Sequence, residues 1–230
     1  MNERQTMLEQ ARGTLVAQLN SLRNFPVEMP VSVPSTISQG YLVQTLDDLE
    51  TAAQANYPIL KGRRTMIEAN RFRVDLAKRD LRPDFSIGYA YMQRAALPDM
   101  KGITFSISLP IYHRIKQDQA ITEAAANLES SRRMADNELA MLRYRVKQEY
   151  LSVQATDSLL ALYSKGIVPQ SSLALESSLA SYETGTTDFL SVLTNFASVL
   201  DYELSYHQQL AEHQKALARL EELTGLELIH

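Results

Sequence analysis

The stretch from Asp84 to Leu109 constrains the fold most, because it alone has strand periodicity in a chain that otherwise repeats every three or four residues. Along the first arm Phe85, Ile87, Tyr89 and Tyr91 fall on one face, and Ser86, Gly88, Ala90 and Met92 on the other. In the second arm Ile103, Phe105, Ile107 and Leu109 share a face, with Thr104, Ser106 and Ser108 opposite. Between the arms Pro98 and Gly102 mark a loop, so the stretch reads as a β-hairpin. Each arm is about nine residues, enough to cross the hydrocarbon of a bilayer when tilted.

Two readings fit this pattern. In one, the hairpin lies in water with its apolar face on a core. In the other, its arms are transmembrane barrel strands, with Phe85, Ile87, Tyr89, Tyr91, Ile103, Phe105, Ile107 and Leu109 towards lipid and Ser86, Gly88, Ala90, Thr104, Ser106 and Ser108 towards an aqueous lumen. Nothing else in the chain reads as a strand that could complete a soluble sheet. An isolated hairpin is marginal in water. In lipid an open edge leaves backbone groups unsatisfied, so closure requires strands from other copies or other chains.

Composition excludes several classes. The formal charge of -4, with no aromatic residues interleaved in a basic patch, gives no reason to expect nucleic acid. Without Cys there are no disulfides, thiolate metal sites or cysteine nucleophiles. No stretch approaches the apolar length of a spanning helix. The first residues, Met1 to Thr6, lack an export signal's apolar core. The barrel reading therefore expects a longer N-terminus.

The rest of the 230 residues reads as helix. Met7, Leu8, Ala11, Leu15, Leu19 and Leu22 have helical spacing. Pro26, Pro30 and Pro34 then forbid helix and favour an extended linker over residues 25–43. Thr45 to Asp48 opens a short helix, broken at Asn56-Tyr57-Pro58. A second helix follows to Leu81, with Leu60, Ile67, Val74 and Leu81 seven apart. After Pro110 comes the longest element, in which Ile121, Leu128, Ala135 and Leu142 form one heptad row, and Ala125, Leu139, Val146, Val153 and Leu160 most of a second. To Lys165 it would run roughly 80 Å at 1.5 Å per residue. Gly166 and Pro169 permit a kink or a register break before helix resumes to Glu183. Thr184 to Asp188 makes a turn, Thr187 or Asp188 caps the final helix from Phe189, and Thr224-Gly225 closes it.

Candidates for chemistry are weak. His207 and His213 are six apart and do not share a helical face, while His113 and His230 are isolated. Glu221-Glu222 and Asp47-Asp48 read as solvated faces or dipole partners, Lys61 to Arg64 as a wet basic face, and Met92 and Met100 as packing or loop residues. The chain carries neither a Gly-rich phosphate loop nor a Ser/His/Asp arrangement. It reads as a non-enzyme with no cofactor and no metal site.

An internal echo links Val16 to Leu22 with Leu217 to Leu223, sharing one Ala and two Leu. It suggests that residues 1–24 are the remnant of the last helix of a preceding repeat. The Arg82-Pro83-Asp84-Phe85 hairpin ending in Ser108-Leu109-Pro110-Ile111-Tyr112, the very long helix and the Tyr182-Glu183-Thr184-Gly185-Thr186-Thr187-Asp188-Phe189-Leu190-Ser191-Val192-Leu193 turn together resemble the outer membrane efflux protein family, the TolC-type channels. Residues 105–112, followed by Arg114 and Lys116-Gln117, are most similar to its heavy-metal and cation-efflux branch.

The resemblance implies a mainly α fold: long coiled-coil-like helices forming an α-barrel segment, plus one antiparallel transmembrane β-hairpin. Residues 44–230 would be one channel repeat: helices 45–81, hairpin 84–110, long helix 111–183, tip turn 184–188 and final helix 189–224. It also implies a trimer of two-repeat subunits in the outer membrane, extending into the periplasm and exporting small molecules or metal cations. Its partners would be outer-membrane lipid, a periplasmic adaptor and an inner-membrane pump of the resistance-nodulation-division type. Tyr182, Gly185, Thr186, Thr187 and Asp188 would form the periplasmic tip that meets the adaptor, with Thr187 where many relatives carry Arg. Ser191 and Thr194 would stand in the gate region, where some members place aspartates. The alternative is a soluble coiled-coil structural or adaptor protein in which the hairpin merely caps two helices.

Overall fold

The computed structural model describes residues 2–32, 37–95, 97–109 and 116–229. The chain divides into two units, Met1–Ser38 and Gln39–His230. In the first, α1 (Asn2–Leu22) begins five residues before the apolar periodicity does. Its end is set by Asn24 in the left-handed region at φ 57°, which turns the chain so that Asn24 N–H donates to Ser21 O (3.1 Å) and Phe25 N–H to Asn20 O (2.9 Å). Asn20 is fully buried, and its amide donates to the carbonyls of Val27 (3.2 Å) and Met29 (2.7 Å). One helical side chain thereby folds the start of the proline-rich segment back on α1.

In the second unit the order is α2 (Leu46–Asn56), α3 (Pro58–Arg79), β1 (Asp84–Met92), β2 (Met100–Ser108), α4 (Gln117–Leu162), a π-helical turn (Tyr163–Ile167), α5 (Val168–Glu183) and α6 (Phe189–Thr224). The α2 start is a reciprocal cap, in which the Thr45 hydroxyl receives Asp48 N–H (3.3 Å) and the Asp48 carboxylate receives Thr45 N–H (3.2 Å). The Thr45 hydroxyl also donates to the Asp48 carboxylate (2.6 Å), and this bond first, then that from Thr45 N–H, holds the carboxyl below its ordinary range. Pro58 opens α3 where its missing N–H costs nothing.

At 46 residues, about 70 Å, α4 is the element on which the others assemble. Its buried positions are Ser131, Ala135, Leu142, Val146, Glu149, Val153, Thr156 and Leu160. All but Ser131 fall on the two heptad rows, with Glu149 and Thr156 in the row of Ala135 and Leu142. The first part of α4 lies antiparallel to α3, joined by the buried Asn70–Ser131 hydrogen bond and by Arg63–Glu138 at 3.8 Å. The second part lies antiparallel to α6, joined by Thr156–His213 at 3.0 Å and Glu149–Arg219 at 3.5 Å. Where α2, α3, α4 and α6 converge, Leu49, Ala53, Leu60, Leu142, Val146, Val153, Ala216, Leu217, Leu220 and Leu223 form the core.

The helix does not break at Gly166 and Pro169. Pro169 has no N–H for the carbonyl of Lys165, and its ring would strike that carbonyl in α geometry. The π turn widens the backbone there, and Val168 N–H donates to Tyr163 O, five residues back. The heptad register is shifted while the axis continues. The expected helix start at Ile111 lies outside the described residues, as do Pro110 and Tyr112 to Ile115.

His213 is a structural tie. It is buried between the Thr156 hydroxyl and the Gly40 carbonyl, which its Nε2 reaches at 2.8 Å. A Cβ at Gly40 would sit 2.7 Å from Leu217 Cδ1, so a side chain there would force the buried Leu217 to shift. Replacing His213→Ala leaves the Gly40 carbonyl without its partner, at a cost of roughly 1–3 kcal/mol. Thermal unfolding should start lower, with faster amide exchange at residues 39–43, and Gly40→Val should reproduce both changes with His213 intact. Wild-type protection of residues 39–43 in either variant would contradict this account.

Candidate functional site

The two strands pair antiparallel, with Phe85 opposite Ile107, Ile87 opposite Phe105, Tyr89 opposite Ile103 and Tyr91 opposite Lys101. Ser86 opposite Ser106, Gly88 opposite Thr104, Ala90 opposite Gly102 and Met92 opposite Met100 form the alternate rungs. One register therefore gathers the bulky residues on one face and, along most of the other, residues no larger than Thr. Phe85 and Phe105 stack diagonally with ring centroids 6.5 Å apart, and the Ser86 and Ser106 hydroxyls bond at 2.6 Å. Leu109 follows the last rung and is exposed.

Every residue of both strands is exposed. On the apolar face Ile87 is 78% and Ile103 80% accessible, so this chain's helices do not cover it. The expectation of a hairpin seated on a soluble core is not met. The sheet has two strands, leaving each with an unpaired outer edge. Lys101 belongs to the apolar face at its loop end, and its ammonium lies 5.9 Å from the Tyr91 ring. The loop is tied by the Tyr91 hydroxyl donating to Asp99 and by Arg94, whose guanidinium donates to Pro98 O at 3.0 and 2.7 Å.

At the opposite end, α5 closes on Gly185, whose φ of 74° suits a residue without a side chain. Gly185 N–H donates to Tyr182 O (3.0 Å) and Thr186 N–H to Ser181 O (2.9 Å). Asp188 then caps α6, its carboxylate accepting from the Ser191 N–H (3.0 Å) and hydroxyl. Tyr182 and Phe189 meet across the turn, ring centroids 6.0 Å apart, and both are exposed. Thr187 is half-buried within the turn. Ser191 is consumed by the cap, and the Thr194 hydroxyl donates back to Leu190 O at 2.8 Å. Neither position supplies a charge.

No helix among the described residues is long and apolar enough to cross a membrane. Among those residues no three His, Asp or Glu side chains converge as a metal site.

No protein-family model matches the chain, and no curated protein matches it. Solved structures do. The outer-membrane channel OprN superposes with a TM-score of 0.80 at 16% identity, over 96% of this chain and 51% of that one. The open state of the Neisseria gonorrhoeae MtrE outer membrane channel gives 0.78 at 15% identity, over 97% and 52%. The outer membrane protein VceC of Vibrio cholerae gives 0.74 at 18% identity, over 97% and 55%. The chain spans about half the length of the channel chains it matches. It has the fold of one repeat of a TolC-like channel, with long helices and one antiparallel hairpin.

The Asp188 carboxyl is held below its ordinary range, first by the Ser191 hydroxyl and then by its N–H. A depressed folded value means that the cap contributes fully above the unfolded carboxylate pKa and is lost as pH falls through the folded one. Amide protection at Ser191, corrected for intrinsic exchange, should therefore decline on acidification below about pH 4. Asp188→Asn should flatten that profile, and a wild type with no decline would refute the assignment.

Proposed function

We propose that this chain is a repeat of the outer-membrane channel of a tripartite efflux system, a passive conduit lying in the outer membrane and extending into the periplasm. The observation that carries the reading is the hairpin, whose apolar face is left uncovered by its own chain and is backed by small residues. Phe85, Ile87, Tyr89, Tyr91, Ile103, Phe105, Ile107 and Leu109 would face lipid, and Ser86, Gly88, Ala90, Thr104, Ser106 and Ser108 the water-filled lumen. A twelve-stranded barrel from a trimer of two-repeat subunits would satisfy both open edges. The antiparallel helices would then line a tunnel in the periplasm.

Residues 1–24 would be the closing helix of the preceding repeat. The support is that Asn24 and Gly225, equivalent in the internal echo, both end their helices in the left-handed region. The equivalent side chains Asn20 and Glu221 also each tie down the chain beyond, at Val27 and Leu228.

Tyr182, Gly185, Thr186, Thr187 and Asp188 would meet a periplasmic adaptor and an inner-membrane pump of the resistance-nodulation-division type. Ser191 and Thr194 in the gate region bring hydroxyls where carboxylates would be needed for a cation-binding ring. The cargo would be small molecules or metal cations, and the metal branch rests on the resemblance of residues 105–112.

The reading is tested at Tyr89, near mid-strand. Arginine on the lipid face at the bilayer midplane costs about 2–4 kcal/mol per site. Tyr89→Arg should remove the protein from outer-membrane fractions, while Thr104→Asn on the small face leaves it there. Normal fractionation of Tyr89→Arg would reject the lipid-facing assignment.

A further inference from the structure

Helix α3 carries seven Lys and Arg against two acidic residues, in a chain whose formal charge is -4. Most of these charges point to water, but Arg63 and Arg73 line a cleft of about 270 Å³ between α3 and α4. The floor of the cleft is polar. Asn70, 3% accessible, donates through its amide to the Ser131 hydroxyl, which donates in turn to the Asn127 carbonyl at 2.9 Å. The remaining amide oxygen, Asn70 Oδ1, accepts from Arg73 Nη1 at 2.9 Å.

Burying an amide and a hydroxyl in a helix seam is unfavourable unless their bonds are all made. Here the amide nitrogen, the amide oxygen and the hydroxyl each have a partner, and the amide oxygen orients a guanidinium. No carboxylate among the described residues forms an ion pair with Arg73, and Arg63 reaches only Glu138, at 3.8 Å. An arginine so held has most of its five donors left, in a fork that matches two oxygens of one anion.

We propose that this cleft binds a small oxyanion, a carboxylate or a phosphate, through Arg73, and that Asn70 and Ser131 are positioning residues. The proposal is independent of the channel reading.

The test is calorimetric titration of the detergent-solubilised full chain with sodium phosphate and, separately, sodium acetate at constant ionic strength. Saturable binding is expected for at least one of them. Phosphate alone would assign a phosphate ligand, acetate alone a carboxylate, and both a general oxyanion site. Arg73→Gln should weaken binding about tenfold or more, the loss of a charged hydrogen-bonding pair. Arg71→Gln, on the same helix but outside the cleft, should stay within about twofold. Should Arg73→Gln lose its helical circular dichroism, Arg73→Lys keeps the charge without the fork and should still weaken binding several-fold. Absence of saturable binding to either anion, or an equal loss in the Arg71 and Arg73 variants, would overturn the proposal.

Discussion

Two open edges and an uncovered apolar face on a hairpin of two nine-residue strands are the constraint on which the second unit depends. Neither water nor lipid tolerates all three features at once. Water penalises the exposed aromatic surface, and hydrocarbon penalises unpaired N–H and C=O groups. Among the described residues nothing relieves the conflict, because α3 and α4 pack on each other and leave both faces of the hairpin accessible. On the proposed reading the sheet is closed by strands from elsewhere, with the small-residue face turned inward.

The helical part obeys a different rule. One stripe along α4 serves α3 first and α6 afterwards, and buried polar residues lie along it as well as leucines. Asn70–Ser131, Glu149–Arg219 and Thr156–His213 each join two helices at one height. An apolar heptad seam tolerates sliding by a turn, whereas a buried hydrogen bond has a single satisfied alignment. The polar pairs therefore act as register marks along helices long enough to need them. The π turn before Pro169 keeps that alignment usable on the far side by absorbing one residue without breaking the axis.

Much of the architecture was legible from residue spacing. The hairpin faces follow from strict alternation along each arm, and a cap at Thr187 or Asp188 from the position before an apolar run, the structure choosing Asp188. The tip turn follows from Gly185 between two helical patterns. His213 was not legible, since its partners at positions 156 and 40 are distant in sequence and neither is a type that signals a histidine site. The Asn70 network was hidden for a similar reason, with a serine and a backbone carbonyl on another helix as its partners.

What the sequence alone determined is every feature set by neighbours a few positions away: the strand faces, the caps, the long helical rows and the interruption at Pro169. Periodicity and capping are local, so a single chain read in order contains them. Tertiary structure alone decided which face stayed bare, which helix each part of α4 served, and which polar residues were buried together. Those outcomes depend on residues tens to hundreds of positions apart arriving at the same height on neighbouring helices, and no local pattern encodes a distance of that kind.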